Sequence, residues 1–399
     1  MEIQIYPIRS VLKGSSAFIS ADSEKLLKAL NEASGDTFSL ISLEELKHAT
    51  HPLILVQSGG SEGFFLRDIY PVYDGPYYLL TYGSSNSLAA SLEILTFIKE
   101  KNKKGEVLHG DIDYLVNRIH ELFSQPSKEK PHRLGVFGEP SDWLISSHVD
   151  YQRAKDILNI ELVDVPEEEI IAKIKEHQEE GHEKFNASFD EKELTKAYQI
   201  YSALKDLTKE HHLEGYTLRC FDIIGAVHMS ACLGLALCNK EDIVATCEGD
   251  VPAMITAYLI QKRLNQHAFQ ANPQWIDPKE NTISLAHCTY PLDMADEYHF
   301  ETHFESGIGL GIHGKMRQGA CTIVKISADL TEFYCEEGVI LENEHREDRC
   351  RTQIVVKLNN PVTYFLRSSL GNHHQVIYGH HEKELKAYFE SFGMRQIKA

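Results

Sequence analysis

The segment GNHHQVIYGHH carries four histidines, His373, His374, His380 and His381, within nine residues. Imidazole nitrogens bind divalent metals, and they also decorate solvated turns. A metal draws ligands from more than one segment, so partners must come from elsewhere in the chain. The β-like run that begins here points adjacent side chains to opposite faces, so at most one of His373 and His374 enters a given site. His380 and His381 precede a glutamate- and lysine-rich helical pattern and read as solvated or capping residues.

Four other stretches could do chemistry. In VATCEGDVPAMITAYLI an apolar strand ends at Cys247 and a helix begins near Val251, with Glu248, Gly249 and Asp250 between them. Loops beyond the carboxyl ends of strands are where α/β sheets bind ligands. Asp250 before a helix with Pro252 in its first turn is also an ordinary N-cap pattern. Glu248 has no capping role, so it faces a site or makes a buried salt bridge. The stretch FQANPQWIDPKENTISLAHC offers Asn272, Trp275, Asp277 and a strand-end His287. Such a histidine is either a hydrogen-bonded structural residue or a ligand.

DEYHFETHFESGIGLGIHG holds His299, His303 and His313, and its alternation allows His299, Glu301 and His303 to share a strand face. GIGLGIHG lacks the following helix of a dinucleotide loop, so its glycines read as a hairpin or bulge. YGSSNSLAASLE starts a helix that is able to receive an anion or a sugar hydroxyl. Capping by Ser84, Ser85 or Asn86 is the plainer expectation there.

The elements that must position these residues change along the chain. Strand-like runs alternate with amphipathic helices up to about residue 265, the pattern of parallel sheets covered on both faces. A polar stretch with two prolines, FSQPSKEKPHR, reads as a linker within it. TFSLIS, LILVQ, YYLLT, RLGVFG, IELVDV and GYTLRCFDII read as strands, and VHMSACLGLALC as a buried helix. After residue 266 short β-like runs follow one another, VTYFLR among them, before a last helix. The expected fold is two Rossmann-like three-layer α/β domains, 1–128 and 129–265, the second ending in the Glu248 loop and its helix. A small β-barrel-like C-terminal domain, 266–399, follows.

Composition narrows the classes. With 399 residues the chain exceeds one compact core. A formal charge of −19 disfavours nucleic acid and anionic membranes as partners. No run is long and apolar enough to span a bilayer, and the first twenty residues lack a secretory pattern, so a cytoplasmic location is expected. None of the eight cysteines forms a CxxC pair, and several lie in apolar runs, so buried reduced thiols are expected.

Taken in order, VATCEGDVPA, ANPQWIDPKENTISLAHCT and GNHHQVIYGHH resemble the L-fucose isomerase and L-arabinose isomerase superfamily, closest to its shorter members. The resemblance covers most of the chain. It implies a metal-dependent aldose–ketose isomerase, with Mn²⁺ and a small carbohydrate as ligands, passing through an enediol. It also implies a homo-oligomer. By the same resemblance Glu248, His287 and His373 match metal ligands, and Glu248 takes part in proton transfer. Asp250 is a second catalytic candidate, and Asn272, Trp275 and His313 are candidates for substrate binding. One position departs: Ala271 and Asn272 stand where the superfamily has an acidic ligand and second base. An amide cannot be a base, so Asp277 or Asp250 would have to substitute. A non-catalytic carbohydrate-binding or regulatory relative is therefore the alternative. Epimerisation or retro-aldol cleavage through the same enediolate is a third, weaker reading.

Overall fold

The structure is a computed structural model that describes residues 2–10, 16–49, 52–101, 103–123, 130–177, 184–185 and 187–398. The chain divides into two compact units, Met1–Glu129 and Lys130–Ala399. Most of the expected linker, residues 124–129, lies outside the described residues.

The first unit is a five-stranded parallel sheet of β1 (Glu2–Ile8), β2 (Thr37–Leu40), β3 (Leu53–Val56), β4 (Tyr77–Leu80) and β5 (Gly105–Leu108), ordered β2-β1-β3-β4-β5. Its central strands are apolar on both faces, as parallel sheets demand. Leu53 and Leu55 join one core, with Ile5 and Leu108, while Ile54 and Val56 join another, with Ile8 and Leu79. Helix Ser87–Glu100 opens without the expected cap: Asn86 is left-handed at φ +56° and makes no side-chain cap bond. Ser84 instead donates to Asp22, and Ser87 turns inward to the Val56 carbonyl.

The second unit combines a parallel sheet with a closed barrel. The sheet runs β7-β6-β8-β9, built from β6 (His132–Phe137), β7 (Ile160–Val165), β8 (Gly215–Leu218) and β9 (Val244–Cys247). The expected strand GYTLRCFDII is cut at Leu218, and Cys220–Val227 is helical.

Six antiparallel strands close the barrel: β10 (Phe269–Asp277), β11 (Thr282–His287), β14 (Gly319–Ile326), β15 (Glu332–Asn343), β16 (Thr352–Leu358) and β17 (His374–Tyr378). Their order is β14-β17-β10-β11-β16-β15, and β15 pairs back onto β14. A two-residue strand, β18 (Arg395–Gln396), adds to β15 in parallel. VTYFLR is not a strand: Tyr364–Arg367 forms one helical turn. Tyr364 packs instead on the barrel, stacking on Tyr334 with ring centroids 3.5 Å apart.

Outside the barrel, β12 (Ala295–Thr302) and β13 (Leu310–Met316) form a hairpin. GIGLGIHG supplies its connection, with Gly307 and Gly309 at positive φ. A Cβ on Gly309 would sit 2.5 Å from the Ser230 nitrogen, so that position needs glycine.

Helix Val251–Leu264 joins sheet to barrel. It is buried from Val251 through Ile260, the mark of a helix packed on all sides. It touches β8 and β9 in the sheet and β14 and β17 in the barrel. All eight cysteines are buried and free. No helix among the described residues is long and apolar enough to cross a membrane.

Candidate metal centre

Glu248 leaves β9 in a left-handed conformation, φ +64°, and Gly249 follows at φ +62°. A side chain at 249 would strike the Glu139 carbonyl and the Ser141 nitrogen at 2.9 Å, so only glycine fits. Ser141 fixes the corner by donating its hydroxyl to the Glu248 carbonyl. Gln270 of β10 clamps the strand end just before it, accepting from the Cys247 N–H at 2.8 Å and donating to the Cys247 carbonyl at 3.2 Å.

Asp250 then caps the buried helix, accepting from the Ala253 N–H at 2.8 Å. Its carboxylate does more than cap. It lies 2.9 Å from His373 Nδ1 and 3.3 Å from Lys325 Nζ, with all three side chains sealed from solvent.

His373 precedes β17 and His287 ends β11, with β10 between them in the barrel. The register sets Ala271 against His374 and Asn272 against Ala286, so Asn272 belongs to the same end. Glu248 Oε1 lies 3.5 Å from both His287 Nε2 and His373 Nε2. These two nitrogens, and Asn272 Oδ1, are buried without a hydrogen-bond partner.

A 3.5 Å gap is too long for a good hydrogen bond. It falls among the ligand–ligand edges of about 3.3–3.6 Å for a tetrahedral ion and exceeds those of about 2.8–3.1 Å for an octahedral one, at metal bonds of about 2.0–2.2 Å. The donor chemistry fits a divalent cation at Glu248 and His373. Asp250 accepts the His373 Nδ1 proton, so that in the neutral ring, which a bound ion would require, Nε2 presents its lone pair, the carboxylate–histidine arrangement of metal sites. His287 fits by position but differs in its proton. Its Nδ1 accepts from the N–H groups of Cys288 at 3.0 Å and Thr289 at 3.3 Å, so the neutral ring keeps its hydrogen on Nε2.

Electrostatics follow the same pattern. Burial works to raise the Glu248 carboxyl, but His373 and His287 outweigh it and hold Glu248 well below the usual carboxylate range. Asp250 is likewise held low, by Lys325 and His373 against its burial. Burial opposes a charge on His373, yet Glu248 and Asp250 lift it to about 9. His374 faces the other way, where Tyr364 Oη meets its Nε2 at 3.1 Å, and burial with Lys325 pushes it down to about 3.

The other candidates lie apart from this cluster. Trp275 is 64% exposed on β10. Asp277 cannot stand in for the absent acid. Its Oδ1 accepts from the N–H groups of Lys279 and Glu280 in the β10–β11 turn. That turn is five residues along the strand from Asn272, about 17 Å. His299, Glu301, His313 and His345 form a second group able to hold a metal among the described residues. There burial, then His299 and His345, push His313 down to about 4. His303 does not share that face; it turns inward and meets Ser306 Oγ at 2.8 Å. His380 is exposed beside Glu337, and His381 precedes the last helix without a side-chain cap bond.

Three residues escape a reading of the sequence. Lys325 is detectable only as a lone charge in the apolar run CTIVKIS. Gln270 carries no signal. Glu305, in the β12–β13 connection, borders solvent; burial and then the charge of Glu248 raise its carboxyl.

No family model matches the chain. Over 123 residues, 30% of the chain, it is 27% identical to the sulfoquinovose isomerase of Clostridium sp. strain MSTE9. The match spans 26% of that protein's length, about a quarter of it. The likeness is therefore one of kind, to a sugar isomerase.

Proposed function

We propose that the chain is a metal-dependent aldose–ketose isomerase acting on a small sugar or sugar derivative. The observation that carries this reading is the convergence of Glu248, His287 and His373, with unpartnered nitrogens, at the junction of sheet and barrel. The similarity to a sulfoquinovose isomerase supports the reaction class.

In this reading Glu248 and His373 hold the divalent ion, of the Mn²⁺ type, and Asp250 is a positioning residue that sets the His373 tautomer. Lys325 neutralises Asp250 in the interior. The ion, when bound, would act as a Lewis acid toward two sugar oxygens. His287 is a further ligand if its ring repositions; in its present hydrogen bonding it donates Nε2–H toward a substrate oxygen. Glu305, whose carboxyl feels the charge of Glu248, is our candidate for the role of the missing acid. A carboxyl raised above its ordinary value suits proton transfer between C1 and C2, and Glu248, held low, suits a ligand better than a base.

The test is proton exchange. The protein is incubated with Mn²⁺ in D₂O and a panel of aldoses and ketoses that includes sulfoquinovose, and C1 and C2 are followed by NMR. Deuterium incorporation that disappears in Glu248→Gln supports the reading. Asn272, an amide at the position of an expected base, favours the non-catalytic carbohydrate-binding alternative. Sugar-induced thermal stabilisation with no exchange on any sugar would establish that alternative.

A further inference from the structure

A second cluster of ligating side chains lies on the β12–β13 hairpin, away from Glu248. His299 and His313 stand opposite each other in the antiparallel register, and their rings stack at 4.4 Å. Glu301 follows two residues after His299 and so shares its face. His345 arrives from the loop after β15 and meets His313 edge-on at 4.5 Å.

The four side chains converge on one atom. Glu301 Oε1 lies 2.7 Å from His299 Nε2, 2.9 Å from His345 Nε2 and 3.4 Å from His313 Nδ1. The other carboxylate oxygen faces Arg351 Nε at 3.5 Å, which leaves Oε1 to the histidines. His313 Nδ1 is buried and has no hydrogen-bond partner. One carboxylate oxygen cannot satisfy three imidazoles, and three adjoining imidazolium ions would repel one another. Neutral rings sharing a divalent cation resolve both problems. A tetrahedral ion with bonds of about 2.0–2.1 Å has ligand–ligand edges of about 3.3 Å; the 3.4 Å to His313 already matches, and the two shorter contacts are hydrogen bonds that an entering ion would open by about half an ångström.

The supports are rigid. Thr352 of β16 receives the Gly314 N–H at 2.9 Å and donates to the Ile312 carbonyl at 2.8 Å, pinning the strand on both sides of His313. The fully buried Gln353 accepts from the Arg346 N–H at 2.9 Å and donates to the carbonyls of Arg346 and Cys350, holding the loop that carries His345. The side chains of His299 and His345 remain 53% and 57% exposed, so an ion can reach the cluster from solvent.

We propose that His299, Glu301, His313 and His345 form a second metal site, of three imidazoles and one carboxylate, for a borderline transition-metal ion such as Zn²⁺. It would tie the hairpin to the 344–351 loop. The site does not depend on the isomerase reading.

The test is equilibrium dialysis of the full chain against Zn²⁺, wild type beside His299→Ala/His345→Ala. Both substituted residues are exposed, so the fold should survive; circular dichroism checks it. If the pair does not fold, the single variants replace it. The expected result is one Zn²⁺ fewer per chain in the double variant, and binding at that site weakened in each single variant by at least the roughly 10–100-fold that loss of an outer-shell partner causes. Co²⁺ loading should give visible bands of a four-coordinate ion that the double variant lacks. Equal stoichiometry and identical Co²⁺ spectra in the two proteins would overturn the proposal.

Discussion

Asp250 Oδ2 lies 2.9 Å from His373 Nδ1, and neither side chain is reached by solvent. One carboxylate thus closes the first turn of the buried helix and fixes the tautomer of a histidine 123 residues later. Asn at 250 would keep an oxygen for the Ala253 N–H but lose the charge. Asp250→Asn should weaken Mn²⁺ binding by about 10–100-fold. Calorimetric titration checks this; undiminished affinity would remove the orienting role.

Lys325 and Asp250 form a fully buried ion pair. Removing Lys325 leaves the buried Asp250 with only His373 to offset its charge, so Lys325→Met should cost up to about 3–5 kcal/mol of stability. The double variant Lys325→Met/Asp250→Asn should recover part of that loss. Urea unfolding of the wild type, both single variants and the double variant gives the coupling directly.

Glu305→Gln should lower kcat on any accepted sugar by about 10²–10⁴-fold while leaving metal stoichiometry intact. Glu248→Gln should lose both. A Glu305→Gln protein with wild-type turnover would mean that the second proton-transfer group is elsewhere.

His267 bridges Asp293 at 2.7 Å and Asp242 at 3.2 Å. Its hydrogen bond to Asp293 raises its pKa, against burial and with further help from Asp242. Because the folded value exceeds the unfolded one, near 6.5, the gain is complete below about pH 6.5 and fades as pH rises through the folded value. Asp293 is half exposed and Asp242 largely exposed, so the gain is about 1 kcal/mol or less. The difference in Tm between wild type and His267→Gln should be largest near pH 6 and shrink as pH rises; a gap that widens with pH would refute the assignment.

Much of this arrangement was legible from local pattern. Strand runs such as LILV and VATC were apolar on both faces, which marks a parallel sheet. Glu248 stood out because nothing in its strand-to-helix turn needed a carboxylate. Strand alternation set His373 and His374 on opposite faces, and the resemblance, not the alternation, picked His373. What local pattern could not reach was contact at long range. Lys325 meets Asp250 across 75 residues, and Gln270 reaches Cys247 across 23. VTYFLR had strand-forming residues, yet the stacking of Tyr364 on Tyr334 holds it as a helical turn. YHFETHFES kept its alternation only to Thr302, so His303 left the face that His299 and Glu301 share, and His313 and His345 completed it.

The left-handed backbone at Glu248 has a consequence for how this chain can drift under mutation. Glycine would sit in that conformation more comfortably by about 1 kcal/mol. Selection for folding alone would therefore erase the acid at this corner. Libraries randomised at position 248 should diverge accordingly, glycine rising when variants are sorted by heat resistance and glutamate persisting only when they are sorted by ion capture. The corner thereby distinguishes a chain that still handles a ligand from one that merely folds.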